Sequence, residues 1–461
     1  MKMQRHIPLW IFLLCALLWA ISTVVFGWIV HSTLTGIDGF RWNRTVGELA
    51  VEVAAFPATA NSVLSEITQH ATGNYKDQAI RIARDTDIDY SEFIPVPMSD
   101  GIDVDGLFMW SKPAKMAYGW RVLVGAFSID GEIENSALLI SPDLEIVKKW
   151  ILNETAVGDV IPKPKHRKFV HGLEILDDGS LIFTFDGSIS LQRFDSCGDQ
   201  QWSAGGEYHH AVTLDETKKS VWTFSGYETI AQVSVNDGKV LTEFSMDEVI
   251  ANNPTLDLLE IRRKHSNDLG INSRDTEGVW LYDKFHFNDV DPLPSGLADV
   301  YPQFNRGDLL VSARSLNLIF VLDPTTLEIK WWRVGFVQRQ HDPDWTGNGE
   351  IIVLNNRMSR DYSEIISINP QTFEKKTILD GRATNFYTRI RGKQQLLKNG
   401  NLIITSSQQG RAFEVNKDGE IAFDIVNQKP DSDDTNYAVS ELKWFPPQQF
   451  DTGTWKCPPK I

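Results

Sequence analysis

Four histidines, His171, His210, His286 and His341, each stand where an apolar strand begins in this chain. His171 lies eight residues ahead of Gly179, and His341 lies eight ahead of Gly349. Only ten histidines occur in 461 residues, so recurrence at one structural position points to a shared role. Imidazole is uncharged near neutral pH and has a lone pair, so it can serve as nucleophile or as general acid and base. Arg314 offers a planar fork of donors suited to an oxyanion. Together these groups suit transfer of an anionic group, provided the fold gathers them at one point.

A closed, radially repeated β-fold gathers them, because equivalent positions in successive units converge near its axis. The repeat is legible. A glycine turn, two strands and an acidic or Asn turn recur at Gly179 to Asp195, Gly307 to Asp323 and Gly400 to Asn416, sixteen residues each time. Lys219 to Asn236 is a looser copy, Gly349 to Asn369 has a longer internal turn, and Val122 to Trp150 is the weakest copy. A following strand often carries a late aromatic, as at Trp202, Phe244, Trp331 and Phe423. Period-2 alternation bounded by turn residues, repeated at about 40 residues, is the signature of a propeller. The reading is all-β: a six-bladed β-propeller over 115–445, with five or seven blades left open by the repeat. Tyr437 to Trp444 should return to complete the blade begun near Tyr118, since closure removes exposed strand edges. Between Lys219 and Gly307 the spacing doubles, and 246–268 has helical periodicity; it reads as a helical insertion between blades three and four.

Pro8 to Val30 is 23 residues without a charge, long enough to cross a bilayer as a helix. Lys2 and Arg5 precede it, which keeps the N-terminus cytoplasmic and sends the rest to the periplasmic or extracellular side. Residues 1–30 therefore read as a signal anchor, 31–114 as a stalk and lead-in, and 446–461 as a C-terminal tail. Net charge of −16 excludes a basic nucleic-acid footprint. Cys197 and Cys457 either pair or stay as free thiols; spacing leaves both open.

The segments Tyr208-His-His210, His286-Phe-Asn288, Ser312-Ala-Arg314-Ser-Leu-Asn317 and Gln340-His-Asp342 resemble the arylsulfotransferase family. The resemblance covers roughly 118–445. It implies a six-bladed propeller that moves a sulfuryl group from an aryl sulfate to a phenol through a sulfated histidine, without a nucleotide donor or other cofactor. On that resemblance His341 is the nucleophile, and His286 and Arg314 hold the sulfuryl oxygens. His210 matches a further pocket histidine, a role that His209 or His171 also fits. Asn288 and Asn317 belong to the matched segments and are read as substrate-binding. Asp289 departs from the family, which has a small hydroxyl residue there, and extra acid lowers anion affinity.

Two other classes stay open: a non-catalytic propeller that binds an anion or a partner, and a metal-dependent hydrolase propeller using axial histidines with Asp342 and Asp344. No metal site is assigned. Asp342 to Glu350 reads as a hairpin turn, since it lacks the full spacing of a calcium loop. Arg314 by itself also reads as an ion-pair partner of Asp342 or Asp289. His171 by itself reads as a packed core residue, and His265 as surface.

Overall fold

The computed structural model describes residues 8–35, 46–47, 49–54, 56–57, 80–82, 88–98, 102–155, 157, 169–259, 283–430, 432 and 435–455. The chain divides into two compact units, Met1–Tyr75 with Glu260–Lys284, and Lys76–Leu259 with Phe285–Ile461. In the first, Leu9–Thr35 is one continuous helix. Its apolar stretch Leu9–Thr33 spans 25 residues, about 38 Å at 1.5 Å per residue, which is enough to cross a membrane.

The second unit is a six-bladed β-propeller. Blade two runs Val170–Ile175, Leu181–Phe185, Ser190–Phe194 and Gln200–Gly205. Blades three, four and five begin with Tyr208–Leu214, Phe287–Pro292 and His341–Trp345, and each adds three further antiparallel strands in chain order. Blade six begins with Lys393–Leu396. Its fourth strand, Ile421–Asn427, is extended outward by Leu107–Ser111 and Ile94–Pro95 from the segment preceding the propeller. Blade one is made from both ends of the chain. Val439–Phe445 pairs antiparallel with Trp120–Ile129, from Val439 opposite Gly125 to Phe445 opposite Trp120. The expected closing strand therefore forms, starting two residues later than the alternation from Tyr437 suggested. Tyr437 itself pairs with Ile80 in a separate two-stranded ladder.

The sixteen-residue units are the second and third strands of their blades, and they read as apolar because both faces are covered. Leu181–Phe185, Leu309–Ala313 and Leu318–Leu322 are buried at every position. Phe224 of blade three stacks on Phe287 of blade four at 5.4 Å. Between blades three and four, Met246–Asn252 is a helix with a capping box between Ser245 and Glu248. Residues 260–282, His265 among them, lie outside the described residues. Cys197 is disulfide-bonded; Cys457, for which the sequence leaves pairing and a free thiol both open, also lies outside them. Asp342 and Asp344 are not in a turn: they belong to the first strand of blade five, and the turn lies at Thr346 to Glu350.

Ring closure also carries a buried ion pair. Arg121 of blade one and Glu414 of blade six meet at 2.7 Å with both side chains fully enclosed. Glu414 further accepts from the Ala117 amide at 2.6 Å and from Asn401. Glu414→Ala strands the Arg121 guanidinium in the interior, a loss of about 3–5 kcal/mol. Urea denaturation of this variant checks it; a loss below ~1 kcal/mol would show that the pair does not hold the ring shut.

Candidate active site

The first strands of the six blades stand side by side around the axis, and the histidines sit where these strands begin. Five of the six carry a break in register at this level. The breaks fall between Val170 and Gly172, His209 and Val212, Phe287 and Asp289, His341 and Asp344, and Val439 and Glu441. A bulge puts an extra residue on one strand and re-aims its side chain. His171, His210, Asn288, Asp342 and Ser440 each lie in such a bulge. His210 and Asp342 sit at φ +62° and +55°, and His286, just ahead of its strand, at +50°. These left-handed conformations are uncommon for such residues and favour function over regular pairing. Gly172 permits a close approach: a Cβ there would come within 2.4 Å of the His210 carbonyl.

The rings converge. His171 and His210 are 3.9 Å apart between centroids, His210 and His286 5.1 Å, and His209 and His210 4.7 Å. His341 is buried beside them, and burial followed by the nearby Arg314 charge holds its pKa well below that of free imidazole. Burial, opposed by Asp186, leaves His171 at about 3. Burial and then His171 keep His210 well below the usual value. His171 is thus a member of the cluster, not an isolated core residue.

Hydrogen-bond accounting assigns the protons. Asn356 Nδ2 donates to the carbonyls of Thr388 and Arg391, both at 2.8 Å, so its Oδ1 faces His341 Nδ1 at 2.7 Å. That ring nitrogen must carry the proton. The lone pair of His341 is on Nε2, where it accepts the Arg391 backbone N–H at 3.1 Å. His209 Nε2 lies 2.7 Å from the Gly226 carbonyl and donates to it. In the uncharged pair, its Nδ1 then accepts from His210 Nδ1, which leaves the His210 lone pair on Nε2.

Arg391 was not singled out in the sequence. It lies in blade six, where no histidine occurs, two residues before the first strand. Its guanidinium contacts Asp186 at 2.8 Å and covers the Phe169 ring at 3.7 Å. Counting back eight residues from Gly400 reaches Gly392, adjacent to it, so the spacing that marks His171 and His341 was present. A void of about 10 Å³ is bounded by His171, His341, Asn288, Arg391, Lys393 and Ser440, among others. It has room for one water. His171 Nδ1, Asn288 Oδ1 and Ser440 Oγ have no hydrogen-bond partner among the described residues.

The remaining expected residues take supporting places. Asn288 Nδ2 donates to the Gln340 carbonyl at 2.8 Å. Asn317, in the left-handed conformation, accepts the Arg339 amide on Oδ1 at 2.8 Å and fixes the approach to blade five. The partner of Asp342 and Asp289 is Lys393, at 2.6 and 3.5 Å. Asp289 is therefore not a bare charge; burial, with Lys393 opposing, raises its pKa to about 7.

A family model described as Arylsulfotransferase (ASST) matches residues 172–428. No curated protein matches the sequence. Among solved structures, a protein of unknown function from Bacteroides caccae is similar at 13% identity and TM-score 0.46, over 70% of this chain and 98% of that one. Streptogramin B lyase is similar at 12% identity and TM-score 0.43, over 77% and 98%. Virginiamycin B lyase from Staphylococcus aureus is similar at 10% identity and TM-score 0.35, over 61% and 88%.

Proposed function

Because this chain belongs to the arylsulfotransferase family, we propose that it moves a sulfuryl group from an aryl sulfate to a phenol through a sulfated His341. The observation that carries this reading is the fixed proton arrangement of His341. Asn356 holds the proton on Nδ1, so Nε2 has the lone pair that a nucleophile needs. Nε2 attacks sulfur, the S–O(aryl) bond breaks with its electrons on the leaving phenolate, and the Nδ1–H to Asn356 bond strengthens as the ring becomes cationic. An acceptor phenol then attacks the same sulfur, its proton passes to a neighbouring imidazole, and the N–S bond breaks back to Nε2. His210, with its lone pair on Nε2, suits that base role. Arg314 and Arg391 flank the sulfuryl oxygens, and the Arg391 N–H turns from the Nε2 lone pair to an oxygen of the bound group. His286 and Asn288 complete the cage. The helix Leu9–Thr33 anchors the propeller on the periplasmic or extracellular side.

Full-length protein in detergent, given p-nitrophenyl sulfate and phenol, is expected to release p-nitrophenol with ping-pong kinetics. Incubation with donor alone should leave an acid-labile SO₃ adduct on the peptide containing His341. One observation favours a second reading: the void beside His341 is only about 10 Å³ and Nε2 already has a donor. This suits a propeller that binds without turning over. Several aryl sulfates giving neither phenol release nor adduct would establish that reading instead.

A further inference from the structure

Further along the same six strands, beyond the histidines, lies a second cavity of about 660 Å³. Its walls carry Glu174, Asp289, Asp291, Asp342, Asp344 and Glu441, against three cations, Lys393, Lys443 and the exposed Lys398. Lys393 is taken by Asp342 and Asp289, and Lys443 by Glu174 at 2.7 Å. Among the described residues no lysine or arginine pairs with Asp291, Asp344 or Glu441. The second observation is Gln394, 5% exposed, in the cavity wall. Its amide nitrogen donates to Asp344 at 2.6 Å, and its Oε1 is buried without a donor. A buried acceptor of this kind costs stability unless a donor arrives.

We propose that this cavity binds a small organic ammonium ion, whose N–H groups donate to Asp291, Asp344 and Gln394 Oε1. Its hydrocarbon body lies against Leu173, Ile352 and Leu442, which also line the space. The volume is that of a small-molecule pocket, far larger than one metal ion needs. No group of three His, Cys, Asp or Glu among the described residues is placed to hold a metal. Burial, and then the neighbouring carboxylates, raise the pKa values of Asp291 and Asp344, the response expected of acids that lack a counter-charge. Blade three adds only Val212 and Thr213, so among the described residues Lys398 is the one further ionisable group that lines the site. The site stands independently of sulfuryl transfer.

The test is calorimetric titration of full-length protein in detergent with phenethylammonium chloride at pH 8, with phenylacetate as the anionic control at equal ionic strength. Saturable binding of the ammonium, none of phenylacetate, and at least tenfold weaker binding at pH 5.5 are expected, because protonated carboxyls lose their attraction for a cation. Asp291→Asn with Asp344→Asn should weaken binding at least tenfold without lowering Tm in the absence of ligand, since it removes like charges. Asp291→Asn by itself serves if the pair does not fold. Absence of saturable heat, equal binding of phenylacetate, or unchanged affinity in the variants overturns the proposal.

Discussion

His341→Ala is expected to abolish both aryl sulfate turnover and the SO₃ adduct, the largest effect of any single substitution in the site. Without Nε2 no N–S bond can form, and the two-step route disappears as a whole. The variant also leaves Asn356 Oδ1 without its donor, which costs about 1–3 kcal/mol. Tm must therefore be measured beside activity, and His341→Gln, which restores a donor but no nucleophile, should be equally inactive. The pH profile of the wild type separates this role from simple packing. A free imidazole protonates near pH 6.5, about where transfer would start to fail. Burial and the Arg314 charge hold His341 well below that value. Its lone pair consequently survives acidification, and turnover should stay flat as pH falls through 6.5, failing only in more acidic solution. An adduct still formed by His341→Ala, or one mapped to another histidine, would remove His341 from the role.

Arg314→Met and Arg391→Met should each lower turnover by about 10²–10³-fold, the usual effect of deleting one oxyanion donor. Arg314 is the cation that acts on His341, whereas Arg391, from blade six, lines the void beside His341. The two predict different pH signatures. Arg391 lowers the pKa of His171 and Asp186 raises it. Removing the Arg391 charge therefore lets His171 protonate at higher pH and shifts the acidic limb of the profile upward. Asp186→Asn should shift it downward. A purely structural Arg391 would change Tm without moving either limb. Arg391→Lys should restore charge and the profile but only part of the rate, because an ammonium lacks the planar fork. Turnover within about threefold of wild type in Arg391→Met would place its guanidinium outside the reaction.

Much of this site was legible because it rests on local pattern. Sixteen-residue units between turn glycine and turn acid are hairpins, and their regularity defined the blades. The histidines were legible because each stands where an apolar strand begins, two of them, His171 and His341, at one fixed distance ahead of a turn glycine. Asp342 and Asp344 were misplaced into a turn, since Pro343 and the nearby glycines mimic one. In the fold Pro343 is accommodated by the bulge, where no ladder hydrogen bond is required. The alternative reading of Arg314 as the ion-pair partner of Asp342 or Asp289 does not hold, because the structure places Lys393 against both. Arg391 escaped notice because its counterion, Asp186, is 205 residues away in sequence.

By itself, then, the sequence determined the apolar N-terminal helix, the repeated blades, the closing strand and the histidines that stand at strand starts. These follow from periodicity and hydrophobic burial, which act over a few residues and repeat. The count of six blades, where the repeat leaves five or seven open, came from the structure. Tertiary structure alone decided which nitrogen of His341 holds the proton, which cation faces which carboxylate, and how the bulges turn the rings inward. Those outcomes depend on groups such as the Arg391 amide and the Gly226 carbonyl, brought within hydrogen-bond reach only when the ring closes. A buried polar group answers to whatever donor or acceptor lies beside it in space, and no local pattern along the chain encodes that neighbour.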